Sequence, residues 1–260
     1  MPGFDIFAWL GAIAIGVSLG LLGSGGSILT VPVLVYLFGQ DEKVAIAGSL
    51  FIVGSIAAAG SLQYVFKRLV DWRNVLVFGL PGMAGTYLGA MIAAYVSGLL
   101  QLSLFALVML VAAWLMFRPL KLEAKPNSPR ATWKIAVDGI IVGIVTGLVG
   151  VGGGFLIVPA LVLLAAMPMH AAVATSLVII ALKSFSGFIK YLDVLTGAGL
   201  DVDWQVIGLV TALGVAGSFV GAQIADRVPQ QQLQRLFSVF LVAMGVYILY
   251  RSLPGALGFV

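Results

Sequence analysis

An apolar run over residues 4–38 is broken only at Gly23, Ser24, Gly25, Gly26 and Ser27. As one helix it would be about 52 Å long, against a bilayer hydrocarbon core of about 30 Å. It must therefore form two pieces, a helix to about Leu22 and a shorter one over about 27–38. The same phrase returns later. Gly20, Gly23, Gly25, Gly26 and Pro32 have counterparts in Gly147, Gly150, Gly152, Gly153 and Pro159, all at an offset of 127. A glycine-rich break in a membrane-length apolar run, present twice, predicts two broken helices facing each other across a site.

Composition places the whole chain in the membrane. Of 260 residues 61% are hydrophobic and 9% charged, with mean hydropathy +1.14; a soluble domain carries about 25% charged residues. Several apolar runs near the roughly 20 residues of a spanning helix predict an all-α polytopic membrane protein. No long alternating strands suggest a barrel. The net charge of +4 is small and sits in loops, so nucleic acid is not expected as a partner. With no cysteine, thiol catalysis, disulfides and Cys-ligated metal are excluded. The first residues lack the basic n-region of a signal peptide, so the first apolar run is expected to be retained.

After 4–38 the apolar runs are 44–66, 74–96 and 99–117. A linker follows at 118–133, with Pro119, Pro126, Pro129 and several Lys and Arg. Then the pattern restarts with 135–149, a glycine break, 155–166, 171–195, 204–225 and 233–250. The restart is an internal repeat. Ala12 and Gly16 match Gly139 and Gly143; Ser49 matches Ser176, and Tyr64 matches Tyr191, all at the same offset. After a five-residue insertion Asp71 and Trp72 match Asp203 and Trp204, and Gly82, Gly85 and Gly89 match Gly214, Gly217 and Gly221. The expected organisation is a first transmembrane repeat over 1–117, a cytoplasmic linker over 118–133 and a second repeat over 134–260. Each repeat would hold about four full helices with the first one broken, giving 8–10 membrane segments in all.

Lys and Arg concentrate in three loops, at 67–73, 118–134 and 227–235, while the loop 193–203 is acidic. All three basic loops can be cytoplasmic if each glycine break turns the chain back, which makes the two repeats inverted. If the broken run counts as one crossing, the repeats are parallel and Arg227 lies outside. The charge distribution favours inversion, a common plan of secondary transporters with the site at the repeat interface.

The breaks expose N–H groups at the start of the pieces beginning near Ser27 and Phe155. A helix N-terminus carries about half a positive charge and unpaired donors, so it favours anions. Tight packing by glycine alone is the competing explanation. No Lys-Ser/Thr follows either cluster, so no nucleotide loop is expected. Gly139, Gly143, Gly147, Gly85, Gly89, Gly217 and Gly221 form small-residue faces for close helix approach.

Lys183 lies at the centre of 171–195, where a charge costs about 3 kcal/mol and either end is about 18 Å away. It shares a helix face with Ser176 and Lys190, at spacings of seven, with Thr175 and Ser186 nearby. The first repeat has Ile56 and Gln63 at the positions of Lys183 and Lys190, so the charge belongs to one half. A structural bond from Lys183 to a freed carbonyl is the alternative to an anion site. Lys190, near the helix end, can reach headgroups. His170, the single histidine, reads as a loop residue, Lys134 and Asp138 as an interfacial pair, and Trp72 and Trp204 as belt anchors. No Ser/His/Asp set, intramembrane Asp pair or metal motif is present, so no enzyme, cofactor or metal is expected.

Gly23 to Pro32 and Gly150 to Pro159 carry Gly-x-Gly-Gly-(Gly/Ser)-x-(Leu/Ile)-x-x-Pro in both halves. Together with Ala174, Thr175, Ser176, Leu177, Tyr191, Asp203, Trp204, Gly217, Gly221 and Ala222, they resemble the TauE/SafE family of sulfite and organosulfonate exporters. The resemblance implies a multi-pass transporter of small sulfur-containing anions in the cytoplasmic membrane of a bacterium or archaeon. The first half departs from the pattern, with Gly48 for Thr175 and Ser27 for Gly154.

The resulting expectation is a secondary transporter or facilitator exporting sulfite or an organosulfonate such as sulfoacetate by alternating access. Its substrate-binding residues would be Ser24, Gly25, Gly26, Ser27, Gly152, Gly153, Gly154, Thr175, Ser176 and Lys183. An anion channel or an uptake permease for a related anion is the alternative. Expected partners are the small anion, the lipid bilayer and a second copy of the chain in a homodimer.

Overall fold

A computed structural model describes residues 6–22, 26–117, 132–150, 154–163, 165, 167–225 and 227–256. The first half holds α1 (Ile6–Leu22), α2 (Gly26–Tyr36), α3 (Glu42–Phe66), α4 (Trp72–Ala93) and α5 (Gly98–Phe117). The second holds α6 (Thr132–Val149), α7 (Gly154–Leu163), α8 (Met169–Ala198), α9 (Trp204–Ala225) and α10 (Gln230–Ala256). Among the described residues there is no strand. The helices α3, α4, α6, α8 and α9 are each long and apolar enough to cross a membrane.

Local chemistry sets the helix ends. Asp71 is the N-cap of α4, its carboxylate accepting from Arg73 N at 3.0 Å and Asn74 N at 3.2 Å. Asp203 does the same for α9, from Gln205 N and Val206 N at 3.1 Å. The repeated Asp-Trp pair is thus a cap followed by an exposed indole. Helix α8 runs three residues beyond the sequence expectation, until Gly199 closes it at φ +69°. Helix α6 begins at Thr132, just inside the expected linker, and linker residues 118–131 lie outside the described residues. In α4, residues Val75–Gly79 form a π turn just before Pro81. A proline there has no N–H for the carbonyl four residues back and its ring would crowd it, and the wider turn accommodates both.

Helix α2 runs back along α1. A Cβ placed on Gly11 would lie 3.0 Å from Leu37 Cδ1 and 3.1 Å from Val33 Cγ1, so the end of α2 returns beside the start of α1. The 11 residues of α2 span about 16 Å, roughly half a bilayer core.

The two halves interdigitate. On α1, Gly16 and Gly20 lie on the backbone of Gly214 and Ser218 of α9, while Gly217 and Gly221 lie on Ile13 and Val17. On α6, Gly139, Gly143 and Gly147 lie on Phe78, Gly82 and Thr86 of α4, whose Gly85 and Gly89 meet Ile140 and Ile144. Numbers rise together in both pairs, so each pair is parallel. A side chain at these glycines would enter the partner's backbone, which is why the small-residue faces are needed.

Between these pairs lie α3 and α8, with 78% and 72% of their spanning windows buried, against 28–44% for α4, α6 and α9. Gly54 meets Ser184, Gly187 meets Leu50, and the Phe51 ring lies 6.0 Å from Phe185 and 5.2 Å from Phe188. Here one number falls as the other rises, so α3 and α8 are antiparallel. The packing α1–α9, α3–α9 and α2–α3 has counterparts in α6–α4, α8–α4 and α7–α8, and α3–α8 and α5–α10 are self-matched.

Candidate functional site

The second break begins where α6 ends. Gly150 adopts φ +74° and its N–H still reaches Thr146 O at 2.9 Å. The last carbonyls of a helix have no intrahelical donor. Three buried side chains from three other helices supply donors here. Ser49 Oγ of α3 donates to Gly150 O at 2.8 Å. Tyr191 Oη of α8 donates to Gly147 O at 3.2 Å and Leu148 O at 3.3 Å. Gln101 Nε2 of α5 donates to Leu148 O at 2.7 Å and to Tyr191 Oη at 2.9 Å. Ser49 and Tyr191 stood in the sequence as repeat markers, Tyr191 also among the residues of the family resemblance, and Gln101 was missed. Its signal was a lone amide inside an apolar run.

The substrate-binding residues expected from sequence fall into three groups. Ser24, Gly25, Gly152 and Gly153 lie outside the described residues. Gly26 and Gly154 are the first residues of α2 and α7, and Ser27 is buried one residue into α2. Thr175, Ser176 and Lys183 are fully buried on α8. Thr175 Oγ1 accepts the backbone N–H of Asp71 at 3.0 Å, tying the turn before α4 to α8. Ser176 Oγ donates to Val173 O at 2.8 Å, one turn back on its own helix.

Lys183 occupies the centre of α8, and its Nζ has no hydrogen-bond partner among the described residues. The ammonium lies 5.7 Å from the Phe78 ring centroid. Its stem fills the groove left by Gly82: a Cβ there would be 3.1 Å from Lys183 Cδ, 3.2 Å from Cε and 3.2 Å from Gly139 O. Three helices, α8, α4 and α6, therefore enclose the charge. In the first repeat Ile56 lies on Gly214 in the matching way. The same groove thus holds an isoleucine in one half and a lysine in the other. Ser184 Oγ, next in the chain, is also buried without a partner among the described residues.

Along α8 the site is spread out. Thr175 and Ser176 are eight and seven residues before Lys183, about 10–12 Å away, and Tyr191, beside the second break, is eight residues after it. The structure brings the lysine together with Phe78, Gly82 and Gly139, and brings the break together with Ser49, Gln101 and Tyr191. It does not bring Lys183 into contact with Thr175 or Ser176. Chemically, a buried unpaired ammonium favours an anion beside it. Among the described residues no three His, Asp or Glu side chains gather to hold a metal.

The family model described as sulfite exporter TauE/SafE matches residues 8–248. A probable membrane transporter protein of Xylella fastidiosa strain 9a5c is 33% identical over 246 residues, covering 92% of each chain. The probable membrane transporter protein YunE of Bacillus subtilis strain 168 is 31% identical over 284 residues, covering 96% of this chain and 98% of that one. A probable membrane transporter protein of Methanocaldococcus jannaschii is 25% identical over 251 residues, covering 91% and 94%. No solved structure matches. With a match over nearly its whole length and a helical fold built for a bilayer, the chain belongs to the sulfite exporter TauE/SafE family and is a multi-pass membrane transporter, not an enzyme.

Proposed function

We propose that this transporter exports a small sulfur-containing oxyanion, sulfite or an organosulfonate such as sulfoacetate, across the cytoplasmic membrane. The observation that carries the proposal is Lys183, a fully buried cation with no hydrogen-bond partner among the described residues at the midpoint of the most central helix pair. An anion entering beside Phe78 and Gly82 supplies the missing counter-charge, and the sulfite exporter family gives its chemical class. The antiparallel run of α3 against α8 supports repeats that are inverted, since equivalent helices of parallel repeats would point the same way.

The packing supports transport by alternating access. The glycine-sealed pairs α1–α9 and α4–α6 each move as one body because their backbones touch. Each pair contains helices from both halves, so the moving parts are these mixed pairs rather than the two sequence repeats. Motion of α4–α6 against α8 opens and closes the groove that holds Lys183. The test is sulfite and sulfoacetate flux in proteoliposomes. Lys183→Met keeps the stem and removes the charge, and flux is expected to vanish while the protein stays monodisperse. Undiminished, saturable flux in the variant would overturn the role of Lys183.

A further inference from the structure

An open cavity of about 330 Å³ lies where α3 begins and α4 and α8 end, lined by Lys43, Met91, Tyr95, Lys190 and Asp193 among others. That volume is roughly ten waters' worth, room for a small oxyanion with part of its hydration. Its two cations differ in what they do. Lys43 Nζ donates to Ala93 O at 3.1 Å and Ala94 O at 3.5 Å, neutralising the C-terminal end of α4. Lys190 Nζ is 3.0 Å from Asp193 Oδ2 and 5.7 Å from the Tyr87 ring centroid. A solvated pair of this kind is worth under about 1 kcal/mol, so a competing anion readily exchanges with it.

The cavity connects to the buried lysine by position. Lys190 follows Lys183 by seven residues, on the same face of α8 and about 10 Å along it. Both lysines face α4: Lys183 lies on Phe78 and Gly82, and Lys190 lies on Tyr87. Between them Ser186 Oγ donates to Met83 O at 3.2 Å, and Gly187 lies against Thr86. The α4–α8 seam thus runs from the cavity to Lys183 and on to Ile179 against Gly79.

We infer that this cavity is a mouth of the anion pathway, in which the oxyanion takes Lys190 from Asp193 on its way to or from Lys183. The inference rests on the anion-transport reading above. Lys190 is a binding residue at the mouth and Asp193 its resident competitor, so the two carry opposite signs in affinity. The experiment is sulfite exchange in proteoliposomes, with half-saturation and maximal rate measured separately. Lys190→Gln is expected to raise the half-saturation concentration about tenfold with the maximal rate within about twofold, and Lys190→Arg to restore it. Asp193→Asn is expected to lower the half-saturation concentration about threefold. Unchanged half-saturation in both Lys190→Gln and Asp193→Asn overturns the inference, as does a shift of the same sign in both. Lys183→Met, measured alongside, separates the two readings. If it is inactive while the mouth variants are unshifted, the mouth alone falls. If the mouth variants shift as expected while Lys183→Met is unaffected, the buried lysine falls. A wild type that moves neither sulfite nor sulfoacetate overturns both.

Discussion

Replacing Lys183 by methionine should make the protein more stable while removing its transport. An ammonium at the centre of a spanning helix costs about 3 kcal/mol. The Phe78 ring, 5.7 Å from Nζ, returns about 1–2 kcal/mol of this as a cation–π contact. No hydrogen bond adds to that return, since Nζ has no partner among the described residues. Methionine keeps an unbranched stem against Gly82 and needs no counter-charge. The net release is therefore about 1–2 kcal/mol. For a chain of this size that corresponds to a rise in Tm of roughly 2–8 °C. The assay is thermal unfolding of the purified protein in detergent, without added anion, for wild type and Lys183→Met. A fall in Tm of several degrees would mean instead that the ammonium holds the fold together through bonds to the protein. In that case loss of flux in the variant would report misfolding rather than a missing anion ligand.

Two further predictions concern the scaffold. Gly143→Val places a side chain against Gly82 O, Gly85 Cα and Thr86 N, and should cost more than 3 kcal/mol and abolish a monodisperse peak in size-exclusion chromatography. Gly208→Ala, which meets nothing within 4 Å, is the control and should leave that peak intact. Tyr191→Phe removes the donor to Gly147 O and Leu148 O and should lower stability by about 1–2 kcal/mol, with faster hydrogen exchange in the last turn of α6 and an unchanged half-saturation concentration for sulfite.

What the residues disclosed and what they concealed follow from the solvent. Length and glycine placement are visible in one dimension, so the end of α1 at Leu22 and the return of α2 beside it were readable. The lone charge at Lys183 was readable too, because a bilayer admits few charges without use. Helix partners were not. In water an amphipathic stripe tells which face is inside, but here lipid and protein interior are both apolar, so the stripe is faint. Gly217 and Gly221 announced a close contact without saying that α1, rather than a neighbour in the same half, would fill it. The same gap hid the site's layout. Two breaks and a lysine suggested one compact pocket, whereas the lysine lies on Gly82 and the second break lies on Tyr191, two turns further along α8. Gln101 escaped because one amide in an apolar run carries no periodic signature; only the fold shows that it completes the end of α6.

The cross-packing of α1 on α9 also sets a timetable. Gly20 contacts Ser218 and Ala222, so about 200 residues must be made after the first helix before its partner exists. At 5–20 residues per second, α1 waits roughly 10–40 s in the bilayer with its glycine face against lipid or a chaperone. The other glycine-sealed pair, α4 with α6, closes earlier, since Gly89 and Ile144 are far nearer in sequence. Sealing of the two glycine pairs therefore begins in the middle of the chain and ends by capturing the helix that was made first.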